Sequence, residues 1–310
     1  MGIDMLTVII PAYNEEQMLP KAAATIHQIL SKDAIEHELI FVDDGSRDGT
    51  WNAILKAHAD IPSVRGIRFS RNFGKEAAIF AGLEKSQGDC CVIIDCDLQH
   101  PPETILEMYR LWQQGYEVVE GVKSSRGRES RAHALSAKIF YTLIGRVAKL
   151  DMENASDFKL LDRKVVNALR SFPESQAFFR ALSSWIGFKK ATVSFDVRER
   201  EAGTSKWSAF ALIRYALTNI TAFSAAPMQV VTVLGLIFFA FSVVVGIQSL
   251  FNYLLGNAVE GFTTVIFLQL IIGSVIMFSL GIMGYYMQRM YDEVKQRPRY
   301  LVTETLDDGR

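Results

Sequence analysis

Between Tyr215 and Gln288 the chain has a single charged residue, Glu260. It is also poor in cysteine, with three in 310 residues, and almost without net charge, at a formal −1. Each shortage excludes something. A near-neutral balance argues against a general nucleic-acid binder, whose basic surface would show in the count. Cys90, Cys91 and Cys96 are odd in number, match no zinc spacing and flank a strand-like run, so they read as packing groups rather than a disulfide framework or metal site. No G-x-G-x-x-G turn follows the first strand and no glycine-lysine phosphate loop replaces it, which removes the usual dinucleotide and P-loop sites. The opening "MGIDMLTVIIPAYNEE" lacks a basic n-region and its apolar run is too short for a secretory signal.

What the charge-poor region does contain is apolar length. Met228 to Leu250 and Phe262 to Gln288 are each long enough to cross a hydrocarbon layer of roughly 30 Å as helices. The alternative is a helix pair buried in a soluble core; charge-free length on this scale favours spans. The link "NYLLGNAVEG" holds no Lys or Arg, whereas Arg198, Arg200, Lys206 and Arg214 precede the first tract and Arg289, Lys295, Arg297 and Arg299 follow the second. The positive-inside rule then places both ends and the first 200 residues in the cytoplasm, in a multi-pass protein of the inner (plasma) membrane. The expected organisation is a cytoplasmic domain over 1–204, a juxtamembrane amphipathic helix over 205–226, a two-helix membrane domain over 227–288 and a cytoplasmic tail over 289–310. Apolar residues along both spans leave self-association into a homo-oligomer open.

The first 120 residues repeat one plan. "MLTVIIPAYNEE", "HELIFVDDGSRDGT", "VRGIRFSRNFGKEAAIFAGLEKS" and "DCCVIIDCDLQHPPETILEMYRLWQQG" each read as a strand ending in polar residues, followed by a helix. Four such units predict an α/β domain: a Rossmann-like, mostly parallel sheet with helices on both faces. Polar groups at the carboxyl ends of its strands gather in one crevice, the usual ligand position of an open sheet. Those groups are Pro11, Tyr13, Asn14 and Glu15, then Asp43 and Asp44, then Ser70, Arg71, Asn72 and Lys75, and finally Asp95, Asp97 and Gln99. Carboxylates there outnumber cations. Such a crevice suits a phosphorylated ligand held through a divalent ion.

Asp95 and Asp97 lie two apart after a buried run, so they share a side while the chain is extended, and Gln99 continues the spacing as a neutral oxygen ligand. Hard oxygen donors of this kind suit Mg²⁺ or Mn²⁺. A solvated acidic turn with an aspartate capping the next helix fits the same residues. Further on, "EGVKSSRGRES" reads as a loop, in which Arg126 and Arg128, with Arg131 just beyond, are candidates for gripping a lipid phosphate or else form a plain solvated basic segment. The stripe Leu135, Ile139, Thr142, Leu143 and Val147 predicts a helix that packs on the sheet or on lipid. Asp157 precedes a strand-like run and sits either near the reacting carbon or in a turn. "KKATVSFDVRER" reads as a last strand, and Arg200, Ser205 and Lys206 follow it. Trp207, Phe210, Ile213, Leu217 and Ile220 then recur at helical spacing, enough to rest on the inner leaflet and bring a lipid substrate to the crevice.

The ordered set "IIPAYNEE", "VDDGSRDGT", "RNFGKEAAIFAGL", "IDCDLQHPPE", "SDFKLLDR" and "REREAGTSKW", followed by two apolar tracts, resembles the non-processive inverting glycosyltransferases of family 2 that load sugars onto polyprenyl phosphates. The bacterial undecaprenyl-phosphate (bactoprenol) glucosyltransferases are the nearest in pattern, with dolichol-phosphate mannose synthase a relation. The resemblance implies a GT-A fold, a nucleotide-sugar donor with UDP-glucose foremost, and a polyprenyl phosphate acceptor. It also implies roles. Pro11, Tyr13, Glu15 and Asp43 would embrace the base and ribose; Asp95, Asp97 and Gln99 would organise the ion at the diphosphate; Arg200, with Ser205 and Lys206, would bind phosphate. Its acceptor loop corresponds to the stretch around Arg126 to Arg131. Other donors stay open: UDP-linked N-acetylglucosamine, N-acetylgalactosamine or galactose, or GDP-mannose. So does a non-catalytic membrane scaffold that has kept a nucleotide-binding domain, whereas a processive synthase would show a polymer-binding motif and more spans.

Overall fold

The computed structural model describes residues 4–124, 156–172, 174, 178–196, 226–255 and 261–307. The chain divides into two compact units, Met1–Ser208 with Pro298–Arg310, and Ala209–Arg297.

In the first unit the four predicted strand-helix pairs follow one another. They are β1 (Met5–Ala12) and α1 (Leu19–Lys32), β2 (Glu36–Asp43) and α2 (Thr50–Asp60), β3 (Val64–Phe69) and α3 (Lys75–Lys85), and β4 (Cys90–Ile93) and α4 (Thr104–Gln113). After them come β5 (Val118–Lys123), β6 (Lys159–Asp162), α5 (Arg163–Arg170), α6 (Phe179–Trp185) and β7 (Lys190–Phe195). One eight-stranded sheet runs β7-β5-β6-β4-β1-β2-β3-β8, where β8 is Val302–Leu306. Strand β1 pairs in parallel with both β2 and β4, and β2 with β3. Strand β6 enters antiparallel between β4 and β5, and β7 runs parallel to β5. The core is set by alternation. Leu6, Val8 and Ile10 meet Leu19, Ile26, Trp51, Ile54, Ile105 and Met108 of α1, α2 and α4 on one face. On the other, Ile40, Val42 and Ile67 meet Ala77, Ala78 and Ala81 of α3. The predicted mostly parallel sheet, covered on both faces, is the fold observed.

The stretch expected as a tail over 289–310 carries structure: the second apolar helix runs on to Val294, and Val302–Leu306 pair antiparallel with β3. The physical reason is a fit: Gly66 of β3 has no side chain, and Leu306 lies opposite it, so close that a Cβ on Gly66 would come within 3.0 Å of the Leu306 side chain. Trp51 Nε1 donates to Glu304 at 3.0 Å, Arg68 pairs with Glu304 at 2.6 Å, and Arg65 pairs with Asp307 at 2.6 Å.

The second unit consists of α7 (Ala226–Leu254) and α8 (Phe262–Val294) among the described residues. Met228–Ser249 and Leu268–Val294 have mean hydropathies of 2.8 and 1.8, and no residue in the most apolar window of either is buried. Both helices are long and apolar enough to cross a membrane. Large side chains such as Phe239 lie open, at 69 % exposure, which is not the burial a helix pair in a soluble core would have.

Candidate active site

The chain leaves β1 on one side, building β2 and β3 outward, and returns to place β4 on the other. The crevice therefore opens where strand order reverses, outside the carboxyl ends of β1 and β4. A cleft of about 330 Å³ lies there. Pro11, Tyr13, Glu15, Asp44, Asn72, Lys75, Asp95 and Asp97, eight of the crevice residues named from sequence, line it. A second cleft of about 320 Å³, lined by Asp4, Asp33, Tyr109 and Arg110, shares no residue with it.

The loops that form the cleft are laced together. Asn14 takes a left-handed backbone, φ 56°, and its N–H donates to Ser46 Oγ at 2.9 Å while its own Oδ1 accepts from Arg47 N–H at 2.9 Å. Glu15 N–H donates to Thr50 Oγ1 at 2.9 Å, which ties the β1 loop to the start of α2. Asp44 accepts from the N–H groups of Phe73 at 2.6 Å and Gly74 at 2.9 Å, tying the end of β2 to the turn before α3. Burial pushes the Asp44 carboxyl above its ordinary range in spite of those two donors.

Asp43 and Gln99 are placed differently from their neighbours. Asp43 is fully buried and is not a wall of the cleft. Its Oδ1 accepts from Ser46 N–H at 2.9 Å, and its Oδ2 has Arg68 Nε at 3.6 Å. Gln99 is absent from the wall because the extended spacing does not last that far: β4 ends at Ile93, Cys96 and Asp97 form a turn, and Leu98 takes a φ of 56°. The Gln99 N–H instead donates back to Asp97 Oδ1 at 3.1 Å. The three cysteines are buried and unlinked, as packing groups would be.

Charge is concentrated around Lys75, the first residue of α3. Its ammonium is 2.6 Å from Asp95 and 3.0 Å from Asp157, on a side chain 40 % exposed. Arg180 of α6 grips Asp157 with a fork, Nε to Oδ1 at 2.6 Å and Nη2 to Oδ2 at 2.8 Å. Burial alone would raise Asp157. The Arg180 bonds and the Lys75 charge outweigh it and hold the carboxyl well below the usual carboxylate range. Burial alone would likewise lower Lys75, but Asp95 and Asp157 keep it above the ordinary lysine value. Glu76, next on α3, accepts the Phe179 N–H at 2.8 Å. Burial, then the nearby Asp157 charge, pushes its carboxyl up to about 7. Lys159 is wholly buried, 3.1 Å from Glu120 and 2.9 Å from Ser183 Oγ, which fastens α6 to β6. His100 packs with the Phe158 and Phe195 rings in a three-ring cluster, and burial lowers it.

Spacing gave no sign of Arg180, Glu76 or Lys159, since none belongs to an acidic or glycine-rich strand end; Asp44 was visible as part of the crevice. Arg126, Arg128, Arg131, Arg200, Ser205 and Lys206 lie outside the described residues, as do the helix expected around Leu135 to Val147 and all but the last residue of the one expected over 205–226, Ala226 being the start of α7.

Among the described residues no three His, Cys, Asp or Glu side chains converge to hold a metal. The donor set still fits Mg²⁺ or Mn²⁺. A hard ion that keeps its waters and is shared with substrate phosphates needs only one or two carboxylates, and Asp95 and Asp97 both reach the cleft.

Residues 7–170 match the family described as "Glycosyl transferase family 2". A glycosyltransferase of Synechocystis sp. (strain PCC 6803) is 38 % identical over 301 residues, covering 96 % of this chain and 95 % of its own. The SfII prophage-derived bactoprenol glucosyl transferase of Shigella flexneri is 34 % identical over 302 residues, covering 97 % and 98 %. Among solved structures, mannosyl-3-phosphoglycerate synthase from Rubrobacter xylanophilus superposes with a TM-score of 0.51 at 16 % identity, over 71 % of this chain and 73 % of that one, a likeness of fold alone.

Proposed function

This chain belongs to glycosyl transferase family 2, and from that premise we propose that it transfers one glucose from UDP-glucose to undecaprenyl phosphate at the cytoplasmic face of the membrane. The products are a β-linked polyprenyl-monophosphate sugar and UDP. The observation that carries the reading is the cleft at the β1/β4 reversal, with four carboxylates, Glu15, Asp44, Asp95 and Asp97, and the Lys75 ammonium on its wall. The Shigella bactoprenol glucosyl transferase, alike over nearly the full length, supports the choice of donor and acceptor.

In this reading Tyr13, Pro11 and Glu15 receive the nucleoside, and Asp43 acts from behind them by fixing the β2 turn through Ser46. Asp95 and Asp97 would hold Mg²⁺ or Mn²⁺ at the diphosphate. When bound, the ion offsets charge that gathers on the leaving group. Gln99 joins them only if its segment turns toward the cleft. Lys75 adds a positive charge on the same wall. A phosphate oxygen of the acceptor attacks the anomeric carbon as the bond to UDP breaks and the electron pair leaves with the diphosphate. The nucleophile is already an anion, so no proton has to be removed. Asp157 suits that chemistry as an anchor: a carboxylate forked by Arg180 and held well below its usual range is a weak base. Its part is to orient Arg180 and Lys75. Arg126, Arg128, Arg131, Arg200, Ser205 and Lys206 are assigned to phosphate binding from their sequence positions. In this reading α7 and α8, long and apolar enough to span, anchor the chain in the membrane that carries the acceptor.

Full-length protein in detergent, incubated with undecaprenyl phosphate and a panel of UDP- and GDP-sugars, tests the reading. The expected result is an organic-extractable, mild-acid-labile glycolipid from UDP-glucose that requires Mg²⁺ or Mn²⁺. Product from another donor would replace the sugar assignment, and no product from any donor would favour a scaffold.

A further inference from the structure

We propose that Arg299 is a positioning residue of the transfer site: it clamps α3 against the segment leading into α6 and so sets Lys75, Glu76 and Arg180 around Asp157. The inference rests on the reading of the site given above. Arg299 comes shortly after α8, in the stretch that leads to β8. Its Nε donates to the Glu174 carbonyl at 2.8 Å and its Nη2 to the Phe172 carbonyl, while the guanidinium carbon lies 4.5 Å from the centre of the Phe80 ring. One planar cation thus touches two elements at once, which is a task for an arginine fork and a ring face together.

Both contacts lead to the cluster around Asp157, the first because the Phe172 ring meets that of Trp185 in α6 at 5.8 Å. Phe80 lies four residues beyond Glu76, on the same side of α3, and its ring meets that of Phe179 edge to face at 6.5 Å. Phe179 donates its N–H to Glu76, and the next residue, Arg180, forks Asp157. A shift of α3 relative to α6 would therefore move Lys75 and Arg180 apart on the one carboxylate they share.

The tail does not need Arg299 to stay docked. Tyr300 stacks on Phe69 at 4.8 Å and its hydroxyl bonds Glu84, the Ser70 N–H donates to the Leu301 carbonyl at 2.9 Å, and β8 is held by its own ladder. Loss of the clamp and loss of the tail are thus separable.

The test uses full-length protein in detergent and the Arg299→Ala and Arg299→Lys variants. For Arg299→Ala, turnover falls about tenfold or more, the scale of a small misplacement of reacting groups, while UDP affinity stays within about twofold of wild type. Deuterium exchange at the Phe179 amide quickens, and the amides of Val302–Leu306 keep their protection. Arg299→Lys recovers part of the turnover, since its charge remains near Phe80 but reaches only one carbonyl. Wild-type turnover and exchange in Arg299→Ala would overturn the clamp, as would a parallel fall in turnover, UDP affinity and thermal stability. If the wild type transfers no sugar, the functional reading fails, and exchange at Phe179 alone then decides the clamp.

Discussion

At the scale of single residues, Asp97 and Glu76 make opposite demands. Asp97 lines the cleft, and under the proposed role at the ion Asp97→Asn should lower turnover by about 10²-fold, the scale of losing one preorganised charge-stabilising group, with the protein still in the membrane fraction. Near-normal initial rates at saturating Mg²⁺ and donor would remove Asp97 from the ion's ligands. Glu76 carries a carboxyl raised to about 7 from an ordinary value near 4.5. A raised carboxyl is least costly where it is protonated in both folded and unfolded chains, and stability is lost as pH rises from about 4.5 through 7. Glu76→Gln keeps an acceptor for the Phe179 N–H without the buried charge. Thermal melts should therefore show little change at pH 5 and a stabilised variant at pH 8; equal melting points at pH 8 would refute the buried-charge account. The first of these residues was legible in sequence because polar groups just past an apolar strand run fall at the crevice, although Asp97 reaches it from a turn and not from extended chain. The second was not. Its environment is made by Asp157 and Phe179, far along the chain, and no local pattern brings them together.

At the scale of elements, the site depends on how closely the turns after β2 and β3 approach. Gly45 sits at φ 64°, and a Cβ there would fall 2.3 Å from the backbone carbon of Arg71. Gly45→Ala should destabilise by more than about 1 kcal/mol and push on the 70–74 turn that presents Asn72 and Gly74 to the cleft. Calorimetry and UDP titration on the same sample check this, and unchanged values in both would mean that the turns can part without consequence. The strand-helix units themselves could be read because each carries its own signal: an apolar run, polar residues at its end, then a helical stripe. Strand β8 could not. "VTETL" is short, half polar and on an edge, and what makes it a strand is Gly66 of β3 and the pairing of Glu304 with Trp51 and Arg68. The antiparallel insertion of β6 between β4 and β5 was likewise invisible, since a run such as "FKLL" carries no direction of pairing.

At the scale of the whole molecule, two exposed apolar helices and one polar, cleft-bearing unit require different solvents. Membranes washed with alkaline carbonate should keep the chain in the pellet, and detergent should release it. Release by carbonate alone would mean that α7 and α8 do not span. In right-side-out vesicles, external protease should leave the unit bearing β1 to β8 intact.

Strand β8 also sets a timetable. It follows α7 and α8 in chain order, so a ribosome making this protein delivers both apolar helices before the strand that covers the edge of β3. During that interval β3 offers an unpaired row of backbone groups, and Trp51 and Arg68 lack Glu304. The sheet that carries the cleft is finished only after both long apolar helices have been made, so its last strand is also the last element of the chain to be delivered.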